Sequence, residues 1–179
     1  MSVCEAPELQ TTHWFNADAP LTLASLRGRV VLIEAFQMLC PGCVSHGLPQ
    51  AQRVATTFHK EDVAVIGVHT VFEHHAAQGS QEALQAFLHE YRITFPVGMD
   101  TPSDNGMLPK TMRAYGLQGT PSLLLIDHKG KLRKHKFGHE PDLLLGAEIM
   151  SLICEQRTNP PDPADEFSVA RSGPKKQSV

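Results

Sequence analysis

The sequence predicts an α/β protein in which helices flank a mixed central β-sheet in three layers. Two continuous apolar runs, VVLIEAF at 30–36 and VAVIGVHT at 63–70, are typical of strands that are covered on both faces. Helical patterns alternate with these runs, and a hairpin and a helix close the pattern between 122 and 156. A length of 179 residues suits one domain, and a hydrophobic content of 41% is enough to bury a core.

The composition divides the chain into three stretches. Residues 1–12 are polar and are expected to be loose, whereas the patterned residues 13–156 are expected to form the domain. Residues 157–179 are polar and rich in proline, so they bury too little surface to become ordered by their own packing. The sequence therefore predicts one domain between a loose N-terminus and a disordered tail.

The elements of the first part of the domain follow from local patterns. Leucines alternate at positions 21, 23 and 26, which favours a short strand or hairpin that turns at Arg27-Gly28. After the strand at 30–36, apolar residues from position 44 to position 58 recur with helical spacing. Gly47 and Pro49 are expected to bend that helix.

The remaining elements are predicted from the same kinds of pattern. The strand at 63–70 is followed by a histidine-containing loop at 71–79, a helix at 80–91 that Ser80 can cap, and a strand at 93–100 that Pro96 weakens. A short helix stopped by Gly116, a hairpin at 122–138 and a helix at 141–156 with Pro141 in its first turn complete the domain.

The charge balance and the apolar runs exclude several classes of protein. Sixteen basic residues against 19 acidic ones give a net charge of −3, which offers no electrostatic footprint for nucleic acid or an anionic membrane. No apolar run approaches the roughly 20 residues that a membrane helix needs. The N-terminus lacks the basic start, apolar run and cleavage site of a secretory signal, so a cytoplasmic location is expected.

The motif QMLCPGCVSH at 37–46 places Cys40 and Cys43 directly after a predicted buried strand. A structural zinc site usually needs four ligands, and the remaining cysteines, Cys4 and Cys154, have no paired partners. A structural disulfide would close only a very small loop and would constrain the unfolded chain little. A redox-active pair is therefore the favoured interpretation, because CxxC beside a βαβ pattern is typical of thiol redox centres.

The same position predicts a different role for each thiol. Cys40 is expected at the N-terminus of a helix, where unpaired N–H groups and the helix dipole stabilise a thiolate. Pro41 suits the first helical position, and Cys43, one turn inside, lies within disulfide-bonding reach. Cys40 is thus predicted to be the attacking thiol and Cys43 the resolving thiol. Of the other cysteines, Cys154 is expected to be a small buried hydrophobe and Cys4 an idle thiol.

Two further features can support redox chemistry. Glu34 lies inside the strand at 30–36, where it is either an exposed carboxylate or, if buried, a group held neutral and suited to carrying a proton. Gly119-Thr120-Pro121 opens the strand SLLLID. A proline at the first position of a strand is ordinary, since it has no donor to lose, and the residues alone indicate nothing more for Pro121.

Taken together, VVLIEAFQMLCPGC, VAVIGVHT and YGLQGTPSLLLIDHKGKL resemble the thioredoxin-like superfamily, in particular its TlpA-like and AhpC/TSA-like redoxins, over residues 14 to 153. The resemblance implies a thioredoxin-like three-layer sandwich with an N-terminal β extension and an insert at about 71–96. It implies Cys40 as the nucleophile, Cys43 as the resolving thiol and Glu34 as the buried acid. It also implies a cis-proline at Pro121.

The resemblance extends to substrate binding. The backbone of Thr120, before the cis-proline, would pair with an extended substrate segment, and Leu39 replaces the tryptophan that commonly precedes the first cysteine in the family. Leu39 would still offer an apolar contact surface beside Cys40. The Pro-Gly order between the cysteines, in place of Gly-Pro, leaves open whether the pair acts as a reductant or an oxidant.

The expected function is that of a thiol–disulfide oxidoreductase, and specifically a protein disulfide reductase without a cofactor or metal. Its partners would be a disulfide-containing protein or small thiol and a reductant that recycles the pair. A thiol peroxidase is the first alternative, although Ile33 and Gln37 stand where the peroxiredoxin pattern has proline and threonine or serine. A non-enzymatic interaction module on the same scaffold is the second alternative.

Overall fold

A computed structural model of the chain describes residues 4–104 and 108–158. The strands are β1 (Cys4–Glu5), β2 (Thr11–Phe15), β3 (Val30–Phe36), β4 (Val63–His69), β5 (Val97–Asp100), β6 (Ser122–Ile126) and β7 (Lys131–Phe137). The α-helices are α1 (Leu48–Thr57), α2 (His75–Gln78), α3 (Gln81–Glu90), α4 (Lys110–Tyr115) and α5 (Asp142–Thr158). A 3₁₀ turn at Ala24–Leu26 and a π-helical turn at Cys43–Gly47 complete the described elements.

The strands form one mixed sheet in the order β1-β7-β6-β3-β4-β5-β2. Strands β3, β4 and β5 run parallel, whereas β6, β7 and the two edge strands β1 and β2 pair antiparallel to their neighbours. Every residue of β3 is buried, as its continuous apolar run predicts. The site therefore begins on a strand at the centre of the sheet.

Two cores cover the two faces of the sheet, which confirms the predicted three-layer α/β sandwich. One core contains apolar residues of α1, α3 and α5, including Leu48, Leu84 and Ile149. The other contains residues of the 3₁₀ turn and of α4, including Leu26 and Met112. No helix within the described part of the chain combines the length and the apolar character that crossing a membrane requires.

The expected loose N-terminus is wrong for the described residues from Cys4 onward, whereas the N-terminal β extension that the resemblance implied is present. Strand β1 pairs with β7, and β2 pairs with β5 from Thr11 to Phe15, so this segment adds both edge strands of the sheet. Edge strands are held by backbone hydrogen bonds, which polar side chains do not prevent. The leucines expected in a strand or hairpin instead lie around the 3₁₀ turn, where Leu23 and Leu26 are buried.

The second half follows the predicted pattern more closely. The Ser80 side chain caps α3 by accepting the Ala83 N–H at 3.1 Å, and Gly116 ends α4 with φ +62°. The predicted insert at 71–96 contains α2 and α3, and the chain then adds β5 to the sheet before it reaches α4.

The last helix corrects two further expectations. Cys154, predicted to be buried, is exposed on α5, because the apolar residues that pack on the sheet lie on the opposite side of the helix. The helix continues through Thr158, so the first two residues of the predicted tail are helical. The rest of that tail, 159–179, lies outside the described residues.

Candidate active site

The nucleophile loop, residues 37–39, connects the end of β3 to Cys40 and the helical turn that follows. The Cys40 N–H donates to the Gln37 carbonyl at 3.2 Å, and the Val44 N–H donates to the Cys40 carbonyl at 3.1 Å. The irregularity predicted from Gly47 and Pro49 is present as the π-helical turn that leads into α1. A proline has no N–H to donate, so the regular hydrogen-bond ladder is interrupted there.

The two thiols have unequal access to solvent. Cys40 is partly exposed, whereas Cys43 is fully buried, and neither is in a disulfide. Cys40 Sγ accepts the Cys43 N–H at 3.2 Å and lies 3.4 Å from the Thr120 carbonyl oxygen. Of the two thiols, Cys40 is therefore accessible from solvent and Cys43 is not.

The environment of Cys43 favours its protonated form. Burial raises the pKa of the Cys43 thiol, and a hydrogen bond to Cys40 raises it further. Hydrogen bonds from the Gln37 backbone and the Thr120 side chain oppose this rise in pKa without cancelling it. Cys43 is therefore a thiol that holds its proton at neutral pH.

Pro121 lies against the helical turn that carries the cysteines. The Thr120–Pro121 peptide bond is cis, as the resemblance implies. A Cβ atom on Gly42 would lie 3.2 Å from Pro121 Cδ, which is tighter than ordinary contact. The Pro-Gly order of the motif therefore puts its smallest residue where the helical turn approaches the proline.

Glu34 is buried beneath the cysteine pair, with 2% of its surface exposed. Among the described residues, its Oε1 atom has no hydrogen-bond partner. Burial raises the pKa of the Glu34 carboxyl well above its ordinary value, and negative charge on Cys40 raises it further. Of the two interpretations of Glu34, the exposed carboxylate is wrong, because the side chain is buried.

Gly47 provides the space that Glu34 occupies. A methyl group at this position would overlap Glu34 Oε1 and would lie 3.0 Å from its Cδ and 3.1 Å from Pro121 Cβ. The backbone torsions of Gly47, φ −59° and ψ −57°, are ordinary helical values, so the backbone itself does not require glycine here. Close packing alone therefore requires this glycine.

Replacing Gly47 with alanine is expected to destabilise the protein by about 1–3 kcal/mol, because the added methyl forces Glu34 or Pro121 to move within a packed site. Gly146→Ala is the matched control, since its Cβ would meet nothing within 4 Å on α5. That control should stabilise by roughly 0.5–1 kcal/mol through helix propensity. Urea denaturation measures both free energies of unfolding, and a stabilising Gly47→Ala would contradict the packing described here.

The rim of the site combines an apolar side chain and two imidazoles. Leu39 is 55% exposed beside Cys40, where an apolar contact was expected from the resemblance. His46 lies on the same helical turn as Cys43, and its ring centroid is 5.3 Å from that of His139, in the connection between β7 and α5. Both imidazoles are exposed, so they border the site rather than fill it.

Sequence reasoning named Gly42 only as part of the Pro-Gly pair between the cysteines, and it did not identify Gly47 or two buried glutamines, Gln37 and Gln78, as parts of the site. The glycines lie within or next to the motif, but only their distances to Pro121 and Glu34 show why they are glycine. Gln78 is distant in sequence, and no local pattern marks it. Within residues 4–104 and 108–158, no group of three or more His, Cys, Asp or Glu side chains is placed to hold a metal ion.

The fold and the site define a thioredoxin-like protein of the thiol–disulfide oxidoreductase class. The chain belongs to the AhpC/TSA family, whose model matches residues 4–135. The resemblance of the sequence motifs to the thioredoxin-like superfamily and to its AhpC/TSA-like redoxins is thus confirmed.

Two solved structures support this classification. The thioredoxin-like superfamily protein SPOA0173 is 62% identical with a TM-score of 0.81, and the alignment covers 83% of this chain and 96% of that one. A thiol-disulfide isomerase from Corynebacterium glutamicum is 46% identical with a TM-score of 0.78, at the same coverage of each chain.

Curated relatives have lower identity. DipZ of Mycobacterium tuberculosis is 31% identical over 139 residues, which are 74% of this chain and 18% of DipZ. Sporulation thiol-disulfide oxidoreductase A of Bacillus subtilis is 23% identical over 112 residues, which are 63% of this chain and 61% of that protein. The chain therefore spans less than two thirds of the length of either relative.

Proposed function

We propose that the protein is a disulfide reductase that acts on disulfide-containing proteins through a Cys40–Cys43 dithiol/disulfide cycle. One observation carries the proposal: an accessible sulfur, Cys40 Sγ, lies 3.4 Å from the Thr120 carbonyl and 3.2 Å from the backbone N–H of a buried partner thiol. The names of the Corynebacterium and Bacillus relatives support the same reaction class.

The first step forms a mixed disulfide. The Cys40 thiolate attacks one sulfur of the substrate disulfide, a bond forms between Cys40 and that sulfur, and the other substrate sulfur leaves as a thiolate that takes up a proton. The Thr120 carbonyl lies next to the reacting sulfur, where it can accept a backbone N–H from an extended substrate segment. Leu39, exposed on the same rim, provides apolar contact to that segment.

The second step releases the substrate. In the mixed disulfide Cys40 no longer carries a negative charge, which removes one of the two causes of the raised pKa of Glu34 and lets this carboxyl ionise. Cys43 then transfers its proton to the Glu34 carboxylate and attacks Cys40, which forms the Cys40–Cys43 disulfide and expels the second substrate sulfur as a thiolate. The substrate has gained two electrons and the cysteine pair has lost two, so a thiol or dithiol reductant must recycle the pair. The raised pKa of buried Glu34 suits the transfer, because such a carboxylate accepts a proton more readily than an exposed one.

Cys43→Ser is expected to convert the enzyme into a trap. Without the resolving thiol, the mixed disulfide between Cys40 and the substrate cannot be released and accumulates in near-stoichiometric amounts. Incubation with insulin as the disulfide substrate, followed by non-reducing electrophoresis and mass spectrometry, measures the adduct and its attachment at Cys40. A Cys40→Ser, Cys43→Ser double variant is the control and should form no adduct.

Two outcomes of these measurements would contradict the proposal. Multiple turnover of insulin by Cys43→Ser at the wild-type rate would show that Cys43 does not resolve the intermediate. Oxidation of Cys40 by hydrogen peroxide at a rate far above that of a free thiol, with no reduction of insulin, would favour a peroxidase instead.

A further inference from the structure

A buried glutamine connects the segment 71–79 to the nucleophile loop. Between residues 71 and 80, all of which the structure describes, only Gln78 is buried, and none of its surface is exposed. Its Oε1 accepts the Leu39 N–H at 3.3 Å, and its Nε2 donates to Gln37 Oε1 at 2.9 Å and to the Glu73 carbonyl at 2.9 Å. One side chain thus holds the residue that precedes the nucleophile.

Gln37 links this contact to both cysteines. Its side-chain Oε1 accepts the Gln78 amide and, at 3.4 Å, the Phe72 N–H. Its backbone carbonyl accepts the Cys40 N–H at 3.2 Å, and its backbone also hydrogen-bonds to Cys43. Gln37 is 1% exposed, so its amide has no access to water as a replacement partner.

Gln37 Nε2 also donates to Glu73 Oε1 at 3.4 Å, so the two amides and Glu73 form one network, and buried polar groups whose hydrogen bonds are satisfied specify one geometry. Gln78 lies in α2, 38 residues after Cys40, so the contact forms only in the folded protein. The network restrains the nucleophile loop, and the loop in turn determines where Cys40 Sγ lies relative to the Cys43 N–H. That N–H stabilises the reduced pair by donating to the Cys40 sulfur.

We propose that Gln78 and Gln37 are positioning residues that set the redox equilibrium of the cysteine pair by fixing the loop in front of Cys40. The inference rests on the proposed roles of Cys40 and Cys43. A pair whose reduced form is stabilised is the stronger oxidant, so loosening the loop shifts the equilibrium toward the disulfide form.

Gln78→Met keeps a side chain of similar length and removes all three hydrogen bonds. The expected result is an increase of about tenfold in the equilibrium constant for oxidation of the pair by glutathione disulfide, equivalent to about 30 mV toward a more reducing potential. Gln37→Met should produce a similar shift. The double variant should shift no further than either single variant, because both side chains belong to one network.

Gln52→Met is the matched control. Gln52 also donates two hydrogen bonds to backbone carbonyls, those of Tyr91 and Arg92, but it lies on the exposed side of α1. In Gln52→Met, the equilibrium constant for oxidation of the cysteine pair by glutathione disulfide should stay within twofold of the wild-type value. An equal shift in Gln52→Met would show that the effect is not specific to the network.

The outcomes distinguish this inference from the proposed function. If the wild-type pair forms no reversible disulfide, the proposed function fails. If the wild-type pair does form a reversible disulfide, the positioning role fails when Gln78→Met leaves the equilibrium constant unchanged. It also fails when the shifts of Gln78→Met and Gln37→Met add in the double variant. Should Gln78→Met not fold, hydrogen exchange of the wild-type Leu39 N–H decides: strong protection supports the network, and exchange at the rate of an unstructured peptide overturns it.

Discussion

Cys40→Ser is expected to lower the rate of disulfide reduction by roughly a thousandfold or more, because the substituted hydroxyl cannot replace a thiolate as the attacking group. The structure makes Cys40 the accessible thiol, since Cys43 is fully buried and holds its proton. The buried thiol cannot take over the first step without an opening of the helical turn. Insulin reduction, with dithiothreitol to recycle the pair, measures the rate.

Cys154→Ser is the matched control for this experiment. Cys154 is an exposed thiol on α5, outside the site, so its removal should leave the rate unchanged. Far-ultraviolet circular dichroism of both variants establishes that they fold. If Cys40→Ser left every measured property unchanged, with wild type and variant both reducing insulin no faster than dithiothreitol alone, the interpretation as a non-enzymatic interaction module would be preferred over an enzyme.

Glu34→Gln is expected to slow disulfide reduction by about 10²–10⁴-fold while making the protein more stable at neutral pH. Glutamine cannot accept the proton of Cys43, so release of the mixed disulfide becomes slow and the adduct accumulates. The stability gain, on the order of 1–3 kcal/mol, arises because the unfolded wild type ionises this carboxyl at neutral pH whereas burial disfavours its charged form in the folded protein, and glutamine carries no charge to bury. Stopped-flow kinetics and urea denaturation measure the two effects.

The pH dependence of stability provides a separate check on Glu34. Its pKa in the folded state is raised above its value in the unfolded chain, so the unfolded chain loses this proton first as pH rises. Its contribution to stability is therefore fully present below the unfolded pKa and is lost as pH rises through the folded pKa. The wild type should lose stability over that window relative to Glu34→Gln, and parallel pH profiles of the two proteins would contradict this.

Glu140→Gln is a useful comparison because Glu140 is also buried but, unlike Glu34, forms an ion pair. Glu140 Oε2 lies 2.7 Å from Lys134 Nζ, so its charge is compensated by an ion pair. Removing that charge leaves a largely buried ammonium group with one partner fewer and should destabilise the protein. The free energy of unfolding is thus expected to rise in Glu34→Gln and to fall in Glu140→Gln. Both carboxyl groups are buried, so the difference comes from the ion pair that Glu140 makes and Glu34 lacks.

Local patterns predicted the elements that build the site. The runs at 30–36 and 63–69 are strands, the Ser80 cap and the Gly116 stop lie where expected, and the hairpin of β6 and β7 forms. Each prediction depends on neighbouring residues, through side-chain periodicity or the torsions of one turn. The edge strands β1 and β2 were implied by the resemblance as an N-terminal β extension but not by local pattern, because backbone pairing with a distant strand leaves little trace in side-chain pattern.

Helix α5 shows that local pattern also fails to predict which side of a helix is buried. Apolar residues occur on both sides of α5: Leu145 and Ile149 face the core, whereas Leu143 and Met150 are exposed. Periodicity could not decide which side Cys154 occupies, and the expectation that it is buried was wrong. The sheet against which the helix packs makes that choice.

The sequence by itself determined the order of the two thiols, their spacing of three residues and their place after a buried strand, because these properties are local to a strand and one helical turn. Only the tertiary structure decided what surrounds them. It brings Thr120 and Pro121 to the cysteines, makes room for Glu34 beside Gly47, and joins Gln78 to the nucleophile loop. These contacts bridge long separations in the chain, so packing sets their distances and no local pattern encodes them.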